Sequence, residues 1–379
     1  MEIVCQREDL VFGVRTVSHA LGGRTSMPIL GGIRFHATAN GIELGATDLE
    51  RAIQCRAAAQ VQGEGVMVLP GQVLSQLVTR LPEADPVHLQ EADGRVRLSC
   101  GQASFELLTL PADEFPEVTR PATAPLCRLS LPALLQCIAQ TAFAALRASE
   151  TTRLALTGVD LVLRDGAVKF AATNGYRLAI KRVPVDGLPE GHEAAFLVDA
   201  AILTDLHRVL SGVTADAVSI YAEGGQLHFE AGPVLFSSRL IQEQFPDFER
   251  VIPRDNEIGL HLPREPFLET LRRMEITSAE ESGAVTLKAT AQGTILEVSS
   301  ASKDKGEGHE FVELVKPAAK TIEIAFKAEY LIDAVRRMES GQVVLWLSAP
   351  ERAGLLEPSG EIAPGDEGFI YVCMPVRLL

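Results

Sequence analysis

One pattern recurs along this chain and limits what it can fold into. The stretch Leu108-Thr-Leu-Pro-Ala-Asp-Glu-Phe115-Pro116-Glu-Val118 returns about one domain length later as Leu240-Ile-Gln-Glu-Gln-Phe245-Pro246-Asp-Phe-Glu-Arg-Val251. At a similar spacing, Ala46-Thr-Asp-Leu-Glu-Arg51 returns as Ala172-Thr-Asn-Gly-Tyr-Arg177. Two independent pairs at one offset imply duplicated domains. The last third lacks both motifs but keeps a helical run, since Phe326-Lys-Ala-Glu-Tyr-Leu-Ile-Asp-Ala-Val-Arg-Arg-Met338 follows the pattern of Val198-Asp-Ala-Ala-Ile-Leu-Thr-Asp-Leu-His-Arg-Val209. A chain of 379 residues is also too long for one ordinary core.

Each third opens with an amphipathic segment and breaks into short alternating strands. In the first, apolar spacing predicts a helix over 9–21, stopped by Gly22-Gly23, and strands over 33–38, 41–46 and 52–61 around an Asn40-Gly41 turn. A second helix over 71–81 leads to strands near 87–91, 96–100 and 103–110. The middle third repeats the order with helices over 131–147 and 199–210 and strands around 154–164 and 168–172. The last has helices over 264–274 and 327–338 and strands over 284–291 and 294–300. Proline and polar linkers at 119–125 and 251–257 set domain limits of 1–120, 126–252 and 258–379. The fold class that follows is α+β, three similar domains with helices on one face of antiparallel sheets. Open strand edges invite association, and a head-to-tail two-fold dimer closing into a ring would leave none free. The stretch 351–367, rich in acid, glycine and proline, reads as a solvated excursion.

A net charge of −15 argues against simple coating of nucleic acid, whose non-specific affinity comes from Lys and Arg on phosphates. The single Trp346 and four tyrosines leave little material for stacking bases. The helical segments are nevertheless the least acidic part of the chain, and several end in arginine: Arg80, Arg147, Arg208, Arg272 with Arg273, and Arg336 with Arg337. Such cations complement a helix macrodipole, or they form a shared positive face able to hold a duplex through phosphate contacts.

The sequence contains no Walker A run, dinucleotide-binding glycine turn, nucleophile elbow or paired-histidine zinc helix. Asp48 and Glu50 are adjacent acids and read as a solvated turn rather than a Mg²⁺ site. Six scattered cysteines suggest neither a disulfide framework nor a zinc site. No catalytic residue, metal or cofactor is expected. With an acidic start, no signal-peptide pattern and no bilayer-length apolar run, the expected compartment is the cytoplasm and no membrane is involved.

Five ordered segments carry a resemblance: Leu21-Gly-Gly-Arg24 with Met27-Pro-Ile-Leu30, Ala46-Thr-Asp-Leu-Glu50, Ala172-Thr-Asn-Gly-Tyr-Arg-Leu-Ala179, Phe245-Pro-Asp-Phe-Glu-Arg-Val251 and Tyr371-Val-Cys-Met-Pro-Val-Arg-Leu378. Over essentially its full length the chain resembles the bacterial replicative sliding clamp, the beta subunit of DNA polymerase III. The resemblance implies three clamp domains per protomer, a homodimeric ring around double-stranded DNA, and no catalytic site. It implies a groove for short peptides of the replicative polymerase, the clamp loader and repair proteins. That groove is carried over to Leu156, Thr173, Gly175, Tyr176, Arg177, Leu178, Pro246, Arg250 and Val251, with Val372, Met374, Pro375, Val376, Arg377 and Leu378. It assigns Arg24 to DNA, beside the helix-end candidates Arg80 and Arg147, and a dimer seam to Phe105 and Leu107 meeting the helix that bears Ile276. Tyr176 stands where many clamps have His, Val376 where Met is frequent, and Thr25-Ser26 replaces the usual proline after Arg24. Two other readings stay open on residues alone: an enzyme on repeated domains, and a clamp paralogue that binds partners without supporting replication.

Overall fold

Strand pairing follows the period-two alternation of apolar residues, which sends every second side chain into a core. The computed structural model describes residues 1–23, 27–83 and 86–377, so Arg24 and Leu378 lie outside the described residues. Contacts divide the chain into two units, Met1–Leu131 with Asp205–Leu240, and Pro132–Thr204 with Ile241–Leu379.

In the first unit, a five-stranded antiparallel sheet ends on the edge strand Ala103–Leu108. An eight-stranded sheet forms where Val234–Arg239 pairs with Arg51–Ala57, so strands from the first and middle thirds share one ladder. In the second unit, Arg177–Pro184 pairs with Phe369–Cys373 in the same manner and joins middle and last thirds in another eight-stranded sheet. A four-stranded sheet there has Gly306–Glu313 on its edge. The strands Arg177–Pro184 and Gly306–Glu313 are absent from the sequence reading. Arg177–Pro184 carries a near-continuous buried run and Gly306–Glu313 is mostly exposed, so neither alternates cleanly.

Among the described residues there are six α-helices: α1 (Arg7–Ser18), α2 (Gly71–Val78), α3 (Leu131–Thr141), α4 (Ala200–Leu210), α5 (Arg264–Thr277) and α6 (Ala328–Val335). The apolar period predicts all six and overruns the ends of α1, α2, α3 and α6. In α1 the buried Leu10, Gly13, Val14 and Val17 form one face, and Gly13 lets the helix approach strand Gly41–Thr47, where a Cβ would stand 3.0 Å from Leu44. After Ser18 the chain tightens, with Ala20 N–H bonding Val17 O and Leu21 N–H bonding Ser18 O. In α3 the chain leaves the helix after Thr141 and Leu146 N–H pairs with Leu156 O, which puts Arg147 beyond the helix. Helices pack in pairs on the sheets, α1 with α2 and α5 with α6.

The stretch 351–367 is not the solvated excursion expected from its composition. It contributes strand Gly354–Ser359, and Asp366 is wholly buried. The Asp366 carboxylate accepts from Gln140 Nε2 at 2.8 Å, Glu339 N at 2.8 Å, and Ser340 N and Oγ at 2.6 Å. Lys181 Nζ, also buried, donates to Gly365 O at 2.5 Å. A charged group survives burial when hydrogen bonds replace its water, so this loop is pinned to both the middle and last thirds.

Asp160, only 9% exposed on strand Gly158–Arg164, has Ala171 and Leu197 as ladder neighbours. Burial pushes its carboxyl up to about 6, against the opposing pull of Lys169. A folded value above the unfolded one means the native state binds the proton more tightly, so stability falls as pH rises from about 4 to 6 and the penalty persists above that. Asp160→Asn is therefore expected to stabilise the protein by about 2 kcal/mol at pH 7.5 and by little at pH 4. Urea unfolding at both pH values checks this; an equal gain at both would assign the effect to packing alone.

Candidate functional site

The two copies of the Ala-Thr-x-x-x-Arg motif fold into the same turn. Thr173 Oγ1 donates to Arg177 O at 2.6 Å and accepts from Gly175 N at 3.0 Å, while Asn174 Oδ1 accepts from Tyr176 N and Arg177 N, both at 3.0 Å. In the first copy Thr47 Oγ1 donates to Arg51 O at 2.8 Å, and Asp48 Oδ1 accepts from Glu50 N and Arg51 N at 3.0 and 2.9 Å. Thr and Asx side chains favour such self-capped turns. The third turn position needs a positive φ in both, +89° at Gly175 and +79° at Leu49. Asp48 is thereby committed to its own turn and to Arg51, in keeping with a structural turn rather than a cation site.

Each turn aims its arginine at an aspartate on a helix of the following third. Arg51 pairs with Asp205 of α4, which also binds Arg208 at 2.9 Å. Arg177 pairs with Asp333 of α6 at 2.6 Å, and Asp333 also binds Arg336 at 2.5 Å and Arg337 at 3.0 Å. Arg177 is buried, donates to Phe143 O at 2.8 Å, and lies with its guanidinium 4.5 Å from the Tyr330 ring centroid and 5.3 Å from that of Phe143. Burial alone would disfavour its charge, but Tyr371 and Asp333 overcome that and raise its pKa. Burial likewise pushes Asp333 up, and hydrogen bonds and charge from Arg177 and then Arg337 bring it below the ordinary value.

Around the second turn stand the residues that the resemblance carries over to a groove. Leu178 and Val372 face each other across neighbouring strands and join Ala155, Ile180, Leu197, Phe245 and Phe248 in one buried cluster. Met374 N–H bonds Tyr176 O and Val376 N–H bonds Ala325 O, each at 2.8 Å, so the chain beyond the last strand is held along the turn. Met374 borders an open cleft of about 850 Å³ walled by Arg250, Val251, Arg254, Asn256, Glu351 and Arg352. It also borders one of about 480 Å³ lined by Ile324, Pro350, Glu351, Pro375, Val376 and Arg377. Tyr176, Val251 and Met374 expose apolar surface, Pro246 is half-buried, and Leu156 is buried in a turn of 3₁₀ helix, Leu154–Thr157. Arg250 is exposed and paired with Asp247 at 2.6 Å. The structure thus gathers the described groove residues, but puts Arg177 beneath the turn as a clamp on it. Sequence reading missed Glu351 and Arg352 as wall residues and Asp333 as the arginine's partner; the repeated Asp at one offset in α4 and α6 was the available signal.

The helix-end arginines separate into two kinds. Arg208, Arg272, Arg273, Arg336 and Arg337 each pair with a carboxylate. Arg80 is exposed and donates to Gln76 O at 3.0 Å, and exposed Arg147 has no ion pair among the described residues. At the two sheet edges, Phe105 is 38% exposed while Leu107 turns into the core, and Leu108 on the opposite face is exposed. Ile276 on α5 and Phe311 on the edge strand Gly306–Glu313 are each about 70% exposed. Phe311 has no counterpart in the sequence reading. Among the described residues no cluster of metal-binding side chains occurs, and the six cysteines are buried and unbridged.

Removing Asp333 should strand Arg177 in a nearly dry site. Asp333→Ala is expected to cost about 3 kcal/mol, and Asp205→Ala, at a wetter pair, about 1–2 kcal/mol. A double-mutant cycle of Asp333→Ala with Arg177→Ala, read by chemical unfolding, should show strong non-additivity; additive losses would mean the pair is not coupled.

Family comparisons cover nearly all of this architecture. Residues 1–119, 129–247 and 249–377 match, in order, the N-terminal, central and C-terminal domains of the DNA polymerase III beta subunit. The chain is 29% identical to the beta sliding clamp of Synechococcus elongatus, with both chains covered fully. It superposes over 100% of both chains on the crystal structures of a sliding clamp (DNA polymerase III subunit beta) from Pseudomonas aeruginosa, TM-score 0.92 and 25% identity, and of the DNA polymerase sliding clamp from Bacillus subtilis, TM-score 0.91 and 26% identity. With three clamp domains in family order and strand ladders that run from each third into the next, the chain belongs to the DNA polymerase III beta subunit family.

Proposed function

We propose that this chain is a DNA sliding clamp: two copies close head to tail around duplex DNA and tether the replicative polymerase, with no catalysis by the ring itself. Family membership supports this reading, and one observation carries its assembly. The sixth residue is Asp205 in α4 and Asp333 in α6 but Gln76 in α2. The last third correspondingly has no arginine turn to offer. Those two vacancies are complementary, and the first and last thirds instead carry open edge strands with exposed Phe105 and Phe311, beside Ile276. An edge of that kind is completed by another strand. Two such head-to-tail joints, related by a two-fold rotation, close the pair into a ring. Phe105 and Ile276 are the exposed seam residues in this reading, with Leu107 their buried neighbour on the edge strand.

The groove at Met374 then receives short peptides from the polymerase, the clamp loader and repair proteins, with Leu178 and Val372 as floor, Met374 and Val251 as adaptable apolar walls, and Arg250 at the rim. Arg80 and Arg147, with Arg24, contact duplex phosphates without reading sequence. Domain limits of 1–120, 126–252 and 258–379 suit this assignment.

Negative-stain electron microscopy of the purified protein should give six-lobed rings with a central hole, and Phe105→Asp with Ile276→Asp should give arcs. Isolated arcs from the unaltered protein at every concentration would remove the ring. Because Leu178 is core, Leu178→Ala would itself cost about 2–4 kcal/mol, so the groove is better probed at exposed side chains. Met374→Ala with Val251→Ala should weaken binding of a polymerase-derived peptide at least about tenfold while the rings persist; unchanged affinity would remove the groove.

A further inference from the structure

The first Phe-Pro repeat borders a groove of its own. In the unit Met1–Leu131 with Asp205–Leu240, residues 112–120 overhang a trough of about 620 Å³. Two of its lining residues, Arg34 and Gln54, stand on either side of Gly45 in the ladder of three adjacent strands, Gly32–Thr38, Gly41–Thr47 and Arg51–Ala57. Gly45 leaves the middle of that row without a side chain. A Cβ there would meet nothing nearer than Ile53 O at 3.9 Å and Gln54 Cγ at 4.0 Å.

Gln54 is 3% exposed. Its Nε2 donates to Glu43 Oε1 at 3.1 Å and to Val118 O at 2.9 Å. Both partners accept, which fixes the orientation of the amide and leaves Oε1 buried with no donor among the described residues. Half-buried Arg34 has no ion pair among the described residues, while Glu43 is committed to Gln54, to Arg120 at 3.1 Å and to Arg56 at 3.7 Å. An unpaired cation and an unfilled acceptor thus flank an absent side chain. Val66, Phe115 and Val118 supply an apolar border, and exposed Asp113 and Glu117 stand on the overhang, where they would repel a polyanion such as nucleic acid.

We propose that this trough is a second peptide-binding site, taking an extended segment whose acidic side chain meets Arg34 and whose backbone N–H fills Gln54 Oε1 across Gly45. An extended chain supplies both groups side by side, since its side chains and amides alternate along a strand. The site is separate from the Met374 groove and stands or falls independently of the sliding-clamp reading.

The test titrates full-length protein, ¹³C-labelled on methyl groups, with acetyl-Ala-Leu-Asp-Leu-Ala-amide and with the same peptide carrying Lys for Asp. Saturable shifts at Val66, Ala112 and Val118 are expected from the acidic peptide. Binding should be about tenfold weaker for the Lys peptide, as loss of a charge-assisted contact implies, and similarly weaker in Arg34→Gln. Gly45→Leu fills the gap between Arg34 and Gln54 at a position of ordinary backbone geometry and should block binding. Met374→Ala should leave it unchanged. Equal binding of both peptides, shifts centred on Met374, or no shifts at millimolar peptide would each overturn the proposal, and the comparison of peptides on the unaltered protein does so even if a variant fails to fold.

Discussion

The arginine–aspartate joint is the interaction on which the remaining architecture depends. Arg51 with Asp205 and Arg177 with Asp333 each tie a self-capped turn in one third to a helix in the next. A guanidinium placed in so dry a site costs desolvation that only a paired, well-bonded carboxylate offsets. The pair therefore specifies geometry more than it adds stability. Around it the strand ladders close: Val234–Arg239 beside Arg51–Ala57, and Phe369–Cys373 beside Arg177–Pro184. The turn that holds the arginine also presents the backbone carbonyl that receives the next segment, Glu50 O for Arg239 N and Tyr176 O for Met374 N, both at 2.8 Å. One motif thus sets a domain joint and the rim of a groove together.

Much of this was legible in the sequence because the repeat is spelled in turn residues. Thr, Asp or Asn, and Arg at fixed spacing admit few backbone solutions, and the two copies fold alike to within tenths of an ångström in their hydrogen bonds. Helix existence was readable from apolar period, while helix ends were not. Ends are set by contacts from elsewhere, such as Ser18 Oγ reaching Ser75 Oγ at 2.7 Å and Leu146 N–H reaching Leu156 O. The groove was readable by residue type only through resemblance. What escaped was long-range satisfaction of charge: nothing local to Asp366 announces that Gln140 and Ser340 will enclose it, and composition around it suggests the reverse.

Placing Arg177 beneath the turn changes how the proposed groove would work. An exposed arginine would be a flexible contact; this one, fixed by Asp333 and by the Phe143 and Tyr330 rings, keeps the Asn174 to Arg177 turn from shifting when something docks against Tyr176 and Met374. The walls remain adaptable because Met374, Val251 and Arg352 are not so held. Rigid base and soft walls suit the proposed binding of several related peptides, since the base costs no ordering on binding and the walls re-pack.

Charge follows a similar economy in the proposed ring. The chain carries −15 overall, and most helix-end arginines are already neutralised by carboxylates three or four residues away or across a joint. Of the helix-end arginines, exposed Arg80 and Arg147 make no ion pair among the described residues and are left for phosphate. Tight phosphate contacts release counterions and bind strongly, which would oppose movement along a duplex. A ring needs no such affinity, because closure keeps the duplex at high effective concentration regardless of contact strength. Arginines spent on holding domains together, and an interior left only mildly positive, are then two consequences of retention by topology rather than by adhesion.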